Sequence, residues 1–167
     1  MRLNRVNLFG RSGEVMGDSW SGIVDVGSKP IVRREAIATG MILLKSESID
    51  AVANGSSPKG DVREASTISA IQAVKETSRT LPHCHPIPIE GCHVEWVLEE
   101  KGLRCSVTVR THWTTGVEME ALCGVSAGLL CAWDMLKPIE KDKEGQYPQV
   151  RIEDIRVLRK KKEHPQD

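Results

Sequence analysis

Residues 92 to 110 alternate almost without interruption. Cys92, Val94, Trp96 and Leu98 fall on one side of the chain, with His93, Glu95 and Val97 on the other. After the turn Glu99-Glu100-Lys101-Gly102, Leu103, Cys105, Val107 and Val109 alternate in the same way with Arg104, Ser106, Thr108 and Arg110. A period of two sends successive side chains to opposite faces, so each run is a half-buried strand and the pair is a β-hairpin. One face of that hairpin needs a cover, and the sequence supplies a helix on either side. Asp61, with Glu64 three residues on, reads as a capping box. Behind it Ala65, Ile68, Ile71, Ala73 and Val74 form an apolar stripe to about Arg79, and Pro82 breaks the helix. Downstream, Thr115-Gly116-Val117-Glu118 reads as a second capping box, opening a helix of small and apolar residues that runs to about Leu136 and is ended by Pro138.

A strand over Ile31–Leu44 precedes these elements, followed by a weak helix in SESIDAVANG that Gly55 stops; a short strand in IEDIRVLR follows them. Leaving the weak helix aside, the order is βαββαβ. This is an α+β, ferredoxin-like plan, an antiparallel sheet covered by two main helices. The expected organisation is a flexible N-terminal extension over 1–22, one domain over 23–159 and a charged tail over 160–167. That fold hosts many activities and names none.

Charge and composition narrow the classes. The 23 basic and 23 acidic side chains cancel, so no global field recruits nucleic acid or an anionic membrane. Aromatic residues make up 4%, too few for base-stacking platforms. The five cysteines are odd in number and lack C-x-x-C spacing, which points to free thiols and a reducing, cytoplasmic setting. No apolar run approaches the roughly 20 residues that span a bilayer, and the first residues lack the apolar core of a signal peptide.

Four places carry reactive groups that a core does not require. Lys59, in Ser57-Pro58-Lys59-Gly60-Asp61, stands beside a helix N-terminus, where phosphate is welcome; a solvated loop lysine is the plainer reading. In LPHCHPIPIE (81–90), His83 and His85 point one way along an extended chain and Cys84 the other. Three ligands in that geometry do not make a zinc site, and adjacent Cys and His rarely face each other as nucleophile and base. The prolines indicate a pre-set loop presenting an imidazole to a pocket, against the alternative of a rigid connector. Glu118 and Glu120 lie about 200° apart around a helix, but at its first turn both can reach a cleft mouth near the positive end of the dipole.

The fourth is Trp133-Asp134-Met135-Leu136-Lys137. Asp134 and Lys137 are i and i+3 neighbours, as a solvated pair worth only about 0.3 kcal/mol. The same face carries Glu120, Gly124, Ala127 and Cys131. Glu120 and Asp134 lie about 21 Å apart along a straight helix, too far for one compact site. The economical arrangement pairs this face between subunits, giving an oligomer with composite sites.

Taken together, PKGDV (58–62), CHPIPI (84–89), TGVEMEAL (115–122) and WDMLK (133–137) resemble the signature blocks of the molybdenum cofactor biosynthesis protein C family, the cyclic pyranopterin monophosphate synthases. VDVGSKPIVRREAIA and RIEDIRVL extend the resemblance from about Val24 to Arg159. The resemblance implies a lyase that converts a cyclised dihydroguanosine triphosphate, the product of a radical S-adenosylmethionine enzyme, to cyclic pyranopterin monophosphate and diphosphate. It implies homohexamers, trimers of dimers, with active sites between subunits. Lys59, Asp134 and Lys137 would be the acid/base groups. His83, Cys84, His85, Glu118, Met119 and Glu120 would contact substrate, and Arg110 or Arg34 would meet the triphosphate. The family usually has an apolar residue, often Leu, where this chain has His83. No resident cofactor or metal site is implied, and Mg²⁺ arriving with the triphosphate stays open. The alternative is a non-catalytic nucleotide-binding module on the same fold.

Overall fold

The computed structural model describes residues 22–163. Its elements are β1 (Val32–Leu43), α1 (Ser46–Asn54), α2 (Val62–Lys75), the single turn α3 (Thr77–Thr80), β2 (Gly91–Glu99), β3 (Gly102–Trp113), α4 (Glu118–Glu140) and β4 (Arg151–Glu163). The sheet has the order β2-β3-β1-β4 and every pairing is antiparallel. With α2 and α4 covering one face, this is the ferredoxin-like plan that the order of elements predicts. The expected 1–22 extension lies outside the described residues save for Gly22.

The alternating residues do what their period demands. Leu103, Cys105, Val107 and Val109 of β3 are fully buried, and with Ala36, Ala38 and Ile42 of β1 they meet Val125, Leu129, Ala132 and Leu136 of α4. Alanines and Gly40 keep the centre of the sheet low: a Cβ at Gly40 would sit 2.8 Å from Val125 and 2.9 Å from Leu129. By length and composition alone α4 could cross a membrane, a reading the unbroken-run criterion misses. Here it is the core helix of the domain.

The structure departs from the sequence expectations in five places. The buried residues of α2 are Val62, Ser66, Ala70 and Val74, while Ile68 is 62% exposed. The cause is Gly124 and Gly128 of α4. Cβ atoms there would lie 2.7 Å from Val74 Cγ2 and 3.3 Å from Ala70 Cβ, an approach so close that only small residues fit between. The small-residue face of α4 is thus spent partly inside the chain, at Gly124, rather than on a second subunit. Second, α2 stops at Lys75, where the Thr77 hydroxyl donates back to the carbonyls of Ala73 and Val74.

Third, the capping box at Thr115–Glu118 does not form. Helix α4 begins at Glu118 with Val117 as an N-cap lacking a side-chain bond, and the Glu118 carboxylate pairs with Lys160 at 3.0 Å. Fourth, α4 passes through Pro138 and ends at Glu140. Fifth, β4 runs on to Glu163, with Lys160 opposite Ala36 and Glu163 opposite Arg33, so half of the expected charged tail is strand.

Candidate active site

Two clusters of functional side chains form, one near each end of α4. At the C-terminal end, the Asp61 carboxylate accepts from the backbone N–H groups of Arg63 and Glu64 at 2.9 and 3.0 Å, which anchors the start of α2. Just before it, the Gly60 N–H closes a turn on the Ser57 carbonyl at 3.1 Å, and Gly60 takes φ +98°, a conformation open to glycine. This turn aims Lys59 at α4. Its ammonium donates to Asp134 twice, to the backbone carbonyl at 2.7 Å and to Oδ2 at 2.8 Å, and Lys137 Nζ lies 2.7 Å from Oδ1.

Pro138 explains why that carbonyl is free. In an uninterrupted helix Asp134 O would accept from the N–H of residue 138, and proline has none. The Lys59 ammonium takes the vacated position. Hydrogen bonds from Lys137 and then Lys59 hold the Asp134 carboxyl down at about 2, and Asp134 in turn pushes the Lys137 ammonium above its ordinary value. Asp134 is a carboxylate, and Lys137 a proton donor, at any physiological pH.

At the N-terminal end of α4 a cavity of about 430 Å³ is lined by His83, Cys84, His85, Glu118, Met119 and Glu120, together with Val24, Val26 and Lys29. All six residues that the sequence puts forward for substrate contact therefore share one wall. The histidine segment is not uniformly extended, because Leu81–Cys84 forms a turn closed by Cys84 N–H on Leu81 O at 2.9 Å. His83 Nδ1 and His85 Nε2 nevertheless both reach the extended segment ahead of β1, bonding the carbonyls of Gly22 at 2.9 Å and Val24 at 2.7 Å. A carbonyl only accepts, so each of those ring nitrogens carries its proton.

Glu120 is buried to 3% exposure and its Oε2 has no partner among the described residues. Burial pushes its carboxyl up, and the nearby Glu118 charge adds to this. Burial, then Glu120 and Cys123, push the Cys84 thiol up, which makes it a poor nucleophile and a wall residue. Among the described residues no three His, Cys, Asp or Glu side chains gather as a metal site.

Beside Gly116 and Glu118 a second cavity of about 210 Å³ is lined by Arg34, Lys160, Lys161 and Lys162. Arg34 spends its guanidinium on the carbonyls of Trp113 and Thr114, at 3.0 and 2.9 Å, and so braces the entry to α4. Arg110 lines neither cavity and pairs with Glu35 at 2.7 Å. Lys29 and Lys160 were not singled out from the sequence. Lys160 hides in a basic run that reads as solvated tail, and Lys29 in a turn with no periodicity.

One chain does not unite its two clusters. Between them α4 presents Leu130, 60% exposed, beside an apolar groove that runs from Met119 and is lined also by Ala73, Leu81 and Leu122.

The chain is similar to known proteins over most of its length. The model of the MoaC family matches residues 23–163. A probable cyclic pyranopterin monophosphate synthase of Sulfurisphaera tokodaii is 49% identical over 138 residues, covering 83% of this chain and 91% of the relative. A Thermococcus kodakarensis protein of the same name is 48% identical over 140 residues, 84% and 90% of the two chains. A Methanothermobacter thermautotrophicus relative, 49% identical over 140 residues, 84% and 88% of the two, is named a probable cyclic pyranopterin monophosphate synthase accessory protein. With a family match that spans both clusters and the sheet that carries them, this chain belongs to the MoaC family.

Proposed function

We propose that this chain is a cyclic pyranopterin monophosphate synthase of molybdenum cofactor biosynthesis, a lyase converting cyclised dihydroguanosine triphosphate to cyclic pyranopterin monophosphate and diphosphate. The observation that carries this reading is Asp134 held between two ammonium groups, at 2.8 Å from Lys59 and 2.7 Å from Lys137, in a chain whose relatives bear that name.

Forming the cyclic phosphate makes one P–O bond to a sugar hydroxyl and breaks the P–O bond to diphosphate. The hydroxyl must lose a proton, and the rebuilt ring must gain and lose others. Protonated Lys137 gives a proton to the ring and so becomes the amine that takes the proton the hydroxyl loses; Lys59, an ammonium on the same carboxylate, can give and recover a proton in the same way. Asp134 keeps the two ammoniums from repelling each other and fixes where they point. At the other cluster the imidazoles of His83 and His85, with Cys84, Met119 and Glu118, shape the pocket. Glu120, whose buried Oε2 has no partner among the described residues, offers a hydrogen bond to the ring system.

The two clusters join across a subunit boundary, one contributed by each copy, in a trimer of dimers. Their separation along α4 and the exposed Leu130 between them support this arrangement. A cytoplasmic radical S-adenosylmethionine enzyme supplies the substrate. Incubating the purified protein with the cyclised triphosphate should yield the pterin product and diphosphate. Binding without conversion would instead make it a non-catalytic nucleotide-binding module, a role the word accessory in one relative's name would suit.

A further inference from the structure

Prolines restrain the loop that carries the two histidines. Pro82, Pro86 and Pro88 have their φ fixed by the ring, and Leu81, His85 and Ile87, which precede them, are confined to extended conformations. With the turn at Leu81–Cys84, these restraints leave His85 little freedom except at its side-chain torsions. What holds those torsions lies far away in sequence. His85 Nε2 bonds the Val24 carbonyl at 2.7 Å, and His83 Nδ1 bonds the Gly22 carbonyl at 2.9 Å.

Gly22 and Val24 belong to a strap, residues 22–31, that precedes β1 and lines the cavity through Val24 and Val26. Residues alternate along an extended chain, so carbonyls two apart point the same way and two imidazoles can meet them side by side. Further on, the Asp25 carboxylate accepts from Gly27 N–H at 2.8 Å and Lys29 N–H closes on Val26 O at 3.1 Å, a turn that leads into β1. Apolar burial adds little, since Ile23, Val24 and Ile31 are 49%, 52% and 60% exposed. The two imidazole bonds are therefore a large share of what seats the strap.

Seating the strap in turn fixes one ring. A carbonyl only accepts, so His85 Nε2 carries a proton, and in the neutral imidazole the lone pair then lies on Nδ1. His85 shares the cavity wall with Met119 and Glu120, and the bond to Val24 is its side chain's one hydrogen bond among the described residues. We propose that His83 is a positioning residue of the reaction: its bond to Gly22 holds the strap so that the Val24 carbonyl keeps His85 turned with Nδ1 toward the substrate. The proposal deepens the function given above and rests on it for the reaction itself.

The test uses the reach of the two ring nitrogens. Nδ1 of histidine stands where the amide nitrogen of asparagine would, and Nε2 where that of glutamine would. His83→Ala should lower kcat/KM by about 3- to 10-fold, the loss expected for one hydrogen bond. His83→Asn should recover most of that loss and His83→Gln should not. The residue is exposed, so all three variants should keep the native melting temperature. Two readouts need no turnover. Long-range proton–nitrogen correlation spectra at alkaline pH should show wild-type His85 protonated at Nε2 and bare at Nδ1, with both tautomers present in His83→Ala. Amide hydrogen exchange over residues 23–29 should be faster in His83→Ala than in the wild type, but unchanged in His85→Gln, which keeps a donor for Val24 while losing turnover. Undiminished kcat/KM in His83→Ala, or exchange no faster there than in the wild type, would overturn the role of His83. A wild-type His85 protonated at Nδ1 and bare at Nε2 would overturn the latch. A wild-type protein that does not convert the cyclised triphosphate would remove the proposed function instead, while the ring spectra and the exchange comparison would still decide whether His83 and the strap set the His85 ring.

Discussion

Lys59 donates to both the backbone carbonyl and the carboxylate of Asp134, at 2.7 and 2.8 Å, because Pro138 leaves that carbonyl without its helical partner. A residue usually counted as a helix breaker here opens an acceptor for a lysine 75 positions away along the chain.

Replacing Pro138 with Ala should therefore act on two properties in opposite directions. An N–H returns at position 138 and competes for the Asp134 carbonyl, while helix propensity improves by up to about 3 kcal/mol, less so close to the helix end. The melting temperature should rise and turnover should fall several-fold. A variant that gains stability with undiminished turnover would show that the second Lys59 bond is dispensable.

The Asp134 pair should be indispensable for chemistry. Lys137→Ala and Asp134→Asn are each expected to lower kcat by about 10²–10⁴, the range for loss of a general acid or base, with the protein still eluting at the wild-type volume. Full turnover by purified Lys137→Ala would remove that residue from the mechanism.

The two buried or paired carboxylates should titrate stability with opposite signs. Asp134 has its folded value held down to about 2, so its contribution is present above the unfolded carboxylate value of about 3.9 and is lost as pH falls toward 2. Glu120 is raised by burial, so ionising it costs stability as pH climbs past its unfolded value of about 4.3. Denaturant melts across pH should thus find Asp134→Asn weaker than wild type at pH 7 and equal to it near pH 2. Glu120→Gln should gain on wild type at pH 7, and its advantage should vanish below about pH 4.

Close approach of α2 and α4 sets the aim of Lys59, since the turn bearing it leads into α2. Gly128→Val would press on Ala70 and Trp96, where even a Cβ sits at 3.3 Å, and should cost about 1–3 kcal/mol by overpacking. Activity should fall along with the urea midpoint. If stability dropped but kcat held, the helix spacing would not govern the Lys59–Asp134 contact.

The proposal that each site is shared between subunits makes a mixing prediction. Asp134→Ala and Glu120→Ala subunits, each inactive alone, should recover about a quarter of wild-type activity when co-refolded one to one, because mixed dimers contain one intact site. Recovery near zero would place both clusters in sites that one chain completes alone.

Much of this molecule is legible along the chain itself. Strict alternation over 92–110 dictated the β2–β3 hairpin, since a period of two has only one way to bury its apolar half. Asp61 marked the start of α2 because its carboxylate satisfies N–H groups two and three residues on, an entirely local interaction. The order of such elements sufficed for the sheet, and the blocks around Lys59, His85, Glu120 and Asp134 for the family.

Tertiary structure decided what depends on partners distant in sequence. Ile68 faces outward because Gly124 and Gly128 bring α4 too near for large side chains, a fact no inspection of α2 alone contains. Glu118 leaves its expected cap to pair with Lys160 on β4, and His83 and His85 hold the segment ahead of β1, 61 residues upstream of them. Periodicity and capping are short-range energies that the sequence exposes directly. Which helix face is buried, and which nitrogen holds which oxygen, depends on contacts that exist only once the sheet has closed.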